Sequence, residues 1–206
     1  GAVSRGAIYA FQGRGFNFLQ VFSKRPVHLI GFQNPDVYYY NLSLINNRYY
    51  CTAPVGNPKP FIEELFDSDI IVNGILQDTN NPSMFIRNNE IELMKRNSLI
   101  IDISCDEGMG FEFAVPTTFD NPVIHLANGL VYYSVDHTPS YLWNAASREV
   151  SKALIPYLVQ LIEHNFDFHK EITLQRAIEI QDGNILNKNI LLFQKRSNSY
   201  PYEYQE

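Results

Sequence analysis

The chain has 206 residues, of which 45% are apolar and 18% charged, and its formal net charge is −6. This balance predicts a globular protein with a sizeable core, and the acidic charge argues against nucleic-acid binding. No apolar run approaches the roughly 18 residues of a membrane-spanning helix, so we expect no membrane contact. The two cysteines, Cys51 and Cys105, are too few for a disulfide framework or a metal cluster. We therefore expect a reducing, cytoplasmic compartment and no metal site.

The first seven residues are typical of the end of a dinucleotide-binding turn. Such a turn needs a preceding strand, glycines where backbone approaches phosphate, and a helix N-terminus that receives the pyrophosphate. Gly1 would be one of those glycines, and Ser4 or Gly6 would lie in the first helical turn. Because the strand before Gly1 is absent from the sequence, we expect the chain to be the C-terminal part of a longer polypeptide. An ordinary helix after an unrelated glycine fits these seven residues equally well.

A helix is predicted from Ala2 to about Gly13, and a buried strand over residues 18–22. This strand is followed by Ser23, Lys24 and Arg25. At the matching point of many nicotinamide enzymes, an acidic residue binds the 2′-hydroxyl of the adenosine ribose and would repel a 2′-phosphate. The two basic residues therefore favour NADP(H) over NAD(H). The alternative interpretation is an exposed basic turn of no special function.

Residues 31–58 are rich in Asn, Tyr and Pro and lack a clear period, so we predict an irregular surface insertion there, with room for a short strand pair. Beyond it, short apolar strands over residues 69–73 and 98–103 alternate with helical stretches. This alternation predicts an α/β fold, a Rossmann-like, doubly wound parallel sheet that lacks its first strand and carries C-terminal helices.

The C-terminal third is predicted to be mainly helical. Ser140 can cap a long helix that reaches about His164, with an apolar stripe along one face. We therefore expect two parts, a nucleotide-binding domain over residues 1–140 and a helical segment over residues 141–206.

Three stretches carry a resemblance to a known family: residues 102–113, residues 132–140 and the helix around residues 154–158. They resemble the C-terminal half of the alanine dehydrogenase superfamily, and the resemblance extends from Gly1 to about Arg196. The runs Asp-His-Thr-Pro-Ser and Asp-Glu-Gly-Met-Gly-Phe-Glu-Phe look closer to N-(carboxyethyl)ornithine synthase and lysine-forming saccharopine dehydrogenase than to alanine dehydrogenase itself.

The resemblance implies a homo-oligomeric, two-domain enzyme whose substrate domain, with the family's catalytic Lys and His, lies upstream of Gly1. In this chain it implies four groups of nucleotide-site residues. These are Gly1, Ser4 and Arg5 at the phosphates, Ser23, Lys24 and Arg25 at the ribose, Gly74, Ile75 and Leu76 under the adenosine side, and Val135, Asp136, His137 and Pro139 along the nicotinamide ribose.

Asp106 is the candidate catalytic residue. The resemblance places it beside substrate and nicotinamide, where a carboxylate can stabilise an iminium or an ammonium group by charge attraction. The alternative is a structural Asx-turn before Glu107. His137 could act as an acid or base near neutral pH, but we assign it to cofactor binding, because the resemblance places the acid and base groups in the absent domain.

The chemistry that the resemblance implies is NADPH-dependent reductive condensation of a 2-oxo acid, such as pyruvate, with the amine of an amino acid. An alternative within enzymes is NAD-dependent cleavage of saccharopine or deamination of alanine. A different class of protein also fits, a non-catalytic fragment that binds a nucleotide or docks on another subunit.

Overall fold

The computed structural model describes residues 1–31, 33–79 and 81–205. The chain forms two compact units, residues 1–136 and residues 137–206, which we call the first and the second unit. The boundary between two parts that the sequence predicts lies four residues later, after residue 140.

The first unit contains two α-helices, ten strands and three short 3-10 helices among the described residues. The helices are α1 (Ala2–Gln12) and α2 (Phe61–Phe66), and the 3-10 helices span Val27–Leu29, Asn88–Leu93 and Ala127–Gly129. The strands are β1 (Leu19–Ser23), β2 (Val37–Ile45), β3 (Arg48–Thr52), β4 (Lys59–Pro60), β5 (Ile70–Asn73), β6 (Met84–Ile86), β7 (Leu99–Asp102), β8 (Gly110–Phe111), β9 (Val123–His125) and β10 (Val131–Tyr133).

Two four-stranded sheets organise the first unit, with strand orders β1-β2-β3-β4 and β5-β7-β10-β9. Strand β1 runs parallel to β2, and β7 runs parallel to both β5 and β10. The pairs β2-β3, β3-β4 and β9-β10 are antiparallel, so both sheets are mixed. The parallel pairs arise where a helix or a long connection separates two strands, as the alternation in the sequence predicts.

The segment predicted as an irregular insertion with room for a short strand pair contains such a pair over residues 37–52, so the prediction of irregular structure is wrong for those residues. Strands β2 and β3 form a hairpin, and β2 is the parallel neighbour of β1. Val37 and Tyr39 are buried on one face of β2 and alternate with the exposed Tyr38. The run of three tyrosines hides this alternation in the sequence, because tyrosine suits both a buried and an exposed position on a strand.

Strands β2 and β3 are joined by a tight turn at Asn46 and Asn47. Both residues have positive φ, 48° and 60°. A two-residue hairpin turn of type I′ requires positive φ at both central positions, and asparagine tolerates this conformation better than most residues.

The main apolar cluster joins the two sheets, with Leu42 and Cys51 from the first and Ile100 and Tyr132 from the second. Its largest fully buried side chains are Tyr132, Phe111, Ile86, Ile100 and Leu130. The ring of Tyr132 packs edge-to-face against Phe111 at a centroid distance of 6.1 Å. Burial of one such side chain contributes roughly 1.5–3 kcal/mol to stability, so this cluster holds β7 and β10 in place.

The second unit is mainly helical, with α3 (Trp143–Glu163), α4 (Ile172–Arg176), α5 (Lys188–Phe193) and a small hairpin of β11 (Ile180–Gln181) and β12 (Asn184–Ile185). Ser140 does not cap α3. It lies inside a 3-10 helix, Thr138–Leu142, in which its N–H donates to the carbonyl of His137 at 2.8 Å, and α3 begins three residues later. Within the described residues, no helix is both long enough and apolar enough to cross a membrane.

The hairpin turn gives a first prediction. Replacing Asn47 by valine places a β-branched side chain at positive φ, and we expect the free energy of unfolding to fall by about 1–2 kcal/mol. Asn47→Gly is the matched control and should not destabilise the protein, because glycine adopts this conformation without a steric penalty. Urea unfolding of the two variants and the parent chain measures the difference. Equal stability of the Val and Gly variants would show that the turn carries no such constraint.

Candidate functional site

Three loops of the first unit meet at one edge of the second sheet. They follow β5, β7 and β10, which are parallel neighbours, so their carboxyl ends point the same way. The hydroxyl of Ser104, after β7, donates to the carbonyl of Ile75, after β5, at 2.5 Å. Ile103 donates its N–H to the carbonyl of Asn73 at 2.8 Å. In open α/β sheets, this edge is where ligands bind.

The carboxylate of Asp102 lies at the centre of this edge and is fully buried. It accepts four hydrogen bonds. Its Oδ2 accepts from the hydroxyl of Tyr132 at 2.8 Å, and its Oδ1 accepts from Asn73 Nδ2 at 3.0 Å and from the N–H groups of Ser104 and Cys105, each at 3.1 Å. One side chain therefore links β5, β7, β10 and the start of the loop after β7.

Burial raises the pKa of Asp102, although the hydrogen bonds from Tyr132, Cys105, Asn73 and Ser104 all act in the opposite direction. The pKa of Tyr132 is raised well above its usual range, first by burial and then by the negative charge of Asp102. The tyrosine therefore stays protonated and acts as a permanent hydrogen-bond donor to the carboxylate. Sequence reasoning missed both roles, because the partners are 30 residues apart.

Asp106 lies on the loop after β7, four residues beyond Asp102, and its side chain is exposed. The loop turns sharply on either side of it. Cys105 has φ +41° and Gly108 has φ +65°, and the carbonyl of Asp106 accepts the N–H of Met109 at 3.1 Å. The fixed N–H groups of Ser104 and Cys105 thus hold the backbone that carries Asp106.

Cys105 lies among three carboxylates. Its Sγ is 3.9 Å from Oδ1 of Asp136, which follows β10. Burial raises the pKa of the thiol to about 11, and the charges of Asp136, Asp102 and Asp106 add to the effect. This end of the sheet edge is therefore electronegative, which favours a cationic group. Cys51, the other free thiol, is fully buried in the core.

The basic turn after β1 is held by two further residues that sequence reasoning missed, Ser83 and Tyr49. Lys24 Nζ donates to Oγ of Ser83 at 2.8 Å, and this hydroxyl also shares a hydrogen bond of 2.8 Å with the hydroxyl of Tyr49. Ser23 accepts the N–H of Arg25 on its Oγ at 3.0 Å, which closes the turn. Both Lys24 and Arg25 are exposed.

The N-terminus of α1 lies against the loop after β5. Gly1 is the N-cap residue, and Ser4 and Arg5 follow in the first turn. A Cβ atom built at Gly74 would lie 2.7 Å from Cγ1 of Val3, so only glycine allows this approach. The helix turn that carries Gly1, Ser4 and Arg5, the residues predicted to bind phosphate, therefore contacts Gly74 through Val3. Of the two residues that follow, Ile75 is half-buried and Leu76 is exposed.

The remaining predicted site residues are divided between the two units. Val135 is buried and forms a parallel bridge with Thr117, and Asp136 is exposed at the end of the first unit. His137 and Pro139 open the second unit, where His137 has φ +56°. Among the described residues, no group of three or more His, Cys, Asp or Glu side chains is placed to hold a metal ion.

Residues 30–188 match the family model described as alanine dehydrogenase/PNT, C-terminal domain. The chain belongs to this family. The superfamily predicted from the three sequence stretches is thereby confirmed. The narrower branch of N-(carboxyethyl)ornithine synthase stays a prediction.

Individual relatives agree with the family. Alanine dehydrogenase 1 of Staphylococcus aureus strain NCTC 8325 / PS 47 is 22% identical over 157 residues, which cover 75% of this chain and 40% of the relative. The same enzyme of strain Mu50 / ATCC 700699 gives the same values. A solved structure of L-alanine dehydrogenase superposes with a TM-score of 0.68 at 18% identity, covering 93% of this chain and 50% of that one. The superposition confirms the Rossmann-like α/β fold. The chain spans half or less of the length of these relatives.

The buried carboxylate gives a second prediction. Asp102→Ala leaves the hydroxyl of Tyr132 and the amide of Asn73 without their acceptor, and we expect the free energy of unfolding to fall by about 2–4 kcal/mol. Asp102→Asn keeps the shape of the side chain and one acceptor oxygen, so it should lower the free energy of unfolding by less than Asp102→Ala does. Urea unfolding measures both, with the exposed Asp106→Ala as a control within about 0.5 kcal/mol of the parent. If the alanine variant matched this control, the network would not stabilise the sheet edge.

The thiol among the carboxylates gives a third prediction. The pKa of the Cys105 thiol is about 11, whereas an ordinary cysteine thiol has a pKa of 9.0. At pH 8 the thiolate fraction of Cys105 is therefore about 100-fold smaller than that of an ordinary cysteine, and Cys105 should react slowly with iodoacetamide. The rate should rise steeply up to about pH 11, and Asp136→Asn should increase it at pH 8. Mass spectrometry of the separate peptides distinguishes Cys105 from Cys51. Reaction of Cys105 at the rate of free glutathione would contradict the prediction.

Proposed function

We propose that this chain is the nicotinamide-nucleotide-binding part of an oxidoreductase that acts on CH–NH bonds. The observation that carries the proposal is the meeting of the loops after β5, β7 and β10 at one sheet edge, in a chain of the alanine dehydrogenase/PNT C-terminal family. Loops at the carboxyl ends of parallel strands form the crevice in which dinucleotides bind.

The residues near the start of α1 suit a pyrophosphate. Gly1 is the N-cap residue of α1 and has no side chain that would keep a phosphate group from the backbone. The first N–H groups of a helix have no partner within it, and the helix dipole attracts anions to them. In the proposal, Ser4 and Arg5 add a hydroxyl and a positive charge there, and the neighbouring Gly74, Ile75 and Leu76 support the adenosine side.

The turn after β1 supports a preference for NADP(H). In the proposal, Lys24 and Arg25 bind the 2′-phosphate together, and Ser23 closes the turn that carries both residues. The ammonium of Lys24 has three protons, of which one is directed to Ser83, so it can still donate to an anion. Arg25 can add a bidentate contact, because guanidinium geometry matches that of phosphate.

On the loop after β7, Asp106 is proposed to face the reacting groups. The amine of an amino acid adds to the carbonyl of a 2-oxo acid such as pyruvate, and loss of water with uptake of one proton gives an iminium ion. A bound reduced nicotinamide would supply the hydride that converts this ion into a secondary amine. The carboxylate of Asp106 stabilises the positive nitrogen before hydride transfer, and Val135, Asp136, His137 and Pro139 are proposed to position the nicotinamide ribose.

Oxidative deamination of alanine with NAD is the second candidate, and its substrate is favoured by the relatives, which are alanine dehydrogenases. Cleavage of saccharopine with NAD would use the same groups in the reverse direction of the condensation. A further candidate is a nucleotide-binding unit without catalysis of its own.

Calorimetric titration with NADPH and NADH gives the fourth prediction. We expect NADPH to bind more tightly, and the double variant Lys24→Ala/Arg25→Ala to weaken NADPH by roughly 10- to 100-fold, since hydrogen bonds to charged groups contribute about 1.5–3 kcal/mol. NADH affinity should change by less than about threefold. Arg14→Ala, at the far end of α1, is the matched control and should leave both affinities unchanged.

Two results would oppose parts of this proposal. Tighter binding of NADH, insensitive to Lys24 and Arg25, would favour the alanine or saccharopine dehydrogenase branches. Binding of neither nucleotide by a sample that still unfolds cooperatively would overturn the nucleotide site itself.

A further inference from the structure

The side chain of Lys24 connects the turn after β1 to the segment between β5 and β6. Its Nζ donates to Oγ of Ser83, the last residue of that segment, at 2.8 Å. The two residues are 59 positions apart in the sequence. The hydrogen bond therefore joins the turn proposed to bind a 2′-phosphate to the segment that begins with Gly74, on the proposed adenosine side.

Ser83 is an acceptor with a fixed position. Only 4% of its surface is exposed. Its backbone N–H donates to Oε1 of Gln77 at 3.0 Å, and its carbonyl accepts the N–H of Gly110 at 2.8 Å. Because both backbone groups are held, the hydroxyl cannot follow the movements of a long side chain that binds to it. An ammonium that donates to this hydroxyl is therefore held in one place.

Tyr49, on β3, contacts both members of this pair. Its hydroxyl shares a hydrogen bond of 2.8 Å with Oγ of Ser83, and its ring centroid lies 5.7 Å from Nζ of Lys24. This distance is within the range of cation–π attraction. The ring is itself packed against Phe85, at a centroid distance of 5.1 Å. A serine hydroxyl can accept two hydrogen bonds and donate one, so the contacts to Lys24 and Tyr49 are compatible whichever hydroxyl donates.

Holding Lys24 in place has a consequence for affinity. An exposed lysine ordinarily samples many rotamers, and a ligand that orders it loses affinity for that reason. Lys24 is exposed, yet Ser83 and Tyr49 already order its ammonium. Only a ligand that contacts this ammonium gains from the order. NADPH has a phosphate at the 2′ position of its adenosine ribose, whereas NADH has a hydroxyl there.

We propose that Ser83 and Tyr49 are positioning residues that determine the preference for NADP(H), because they hold the Lys24 ammonium where the 2′-phosphate binds. Both act through Lys24 and neither contacts the nucleotide. The inference rests on the proposed function and deepens it, since it assigns the cofactor preference to residues outside the basic turn.

Calorimetric titration of the 206-residue chain with NADPH and with NADH tests this inference. Ser83→Ala should weaken NADPH roughly 3- to 10-fold, the effect of ordering one long side chain, and change NADH by less than about twofold. Ser83→Thr keeps the hydroxyl and should restore most of the NADPH affinity. Ser68→Ala is the matched control. It removes a half-buried hydroxyl before β5, bonded to the carbonyl of Glu64 at 2.7 Å, and should leave both affinities unchanged.

A double-mutant cycle separates positioning from a general structural role. In the Lys24→Ala background, Ser83→Ala should cause no further loss of NADPH affinity, because the side chain through which it acts is gone. Tyr49→Phe removes one hydroxyl and keeps the ring, and it should weaken NADPH by about two- to threefold. This second variant tests the same contacts if Ser83→Ala lowers the melting temperature.

The outcomes distinguish this inference from the proposed function. An equal loss of NADPH and NADH affinity in Ser83→Ala, or an undiminished loss in the Lys24→Ala background, would overturn the positioning role. If Lys24→Ala weakens NADPH while Ser83→Ala and Tyr49→Phe do not, the inference fails and the proposed function stands. If Lys24→Ala leaves NADPH binding unchanged, the proposed preference for NADP(H) fails and the inference fails with it.

Discussion

The arrangement of the sheet edge depends on the buried carboxylate of Asp102. Removing a carboxylate from water is unfavourable, and the raised pKa of Asp102 reflects this cost. Four hydrogen bonds offset it, and their donors come from β5, from β10 and from the loop after β7. A neutral apolar residue could fill the same space, but it could not fix the N–H groups of Ser104 and Cys105. The network therefore fixes where the loop with Asp106 begins.

Charge is distributed unevenly between the turn after β1, in the first sheet, and the loops after β7 and β10, in the second. Lys24 and Arg25 follow β1, whereas Asp102, Asp106 and Asp136 surround the thiol of Cys105 after β7 and β10. A phosphate would be attracted to the basic turn after β1, and an iminium or ammonium group to the acidic loops after β7 and β10. The proposed function needs this polarity, because one substrate nitrogen becomes positive during the reaction while the cofactor carries anionic groups at its other end.

Local patterns in the sequence were sufficient to predict several helices and strands and the loops that carry the candidate site residues. Helix α1, strands β5 and β7, and the positions of Lys24 and Asp106 after strands all follow from apolar runs and turn residues. The hydrogen bonds that hold the site could not be predicted in this way. The pairs Lys24–Ser83 and Asp102–Tyr132 are 59 and 30 residues apart in the sequence, and they depend on which strands become neighbours. The sequence left room for a strand pair after β1 but did not show its length or its pairing with β1, since a run of tyrosines carries no visible alternation.

Among the described strands, β1 and β5 are each the terminal strand of their sheet, which has a practical consequence for the chain as a laboratory sample. An exposed strand edge offers a row of unsatisfied donors and acceptors to any other chain that presents an extended segment. The strands here are short and apolar, and residues 19–22 carry no charged side chain that would discourage such pairing. Aggregation on concentration or storage is therefore a greater risk for this chain than its net charge of −6 suggests, and β1 and β5 are the sites from which it would start.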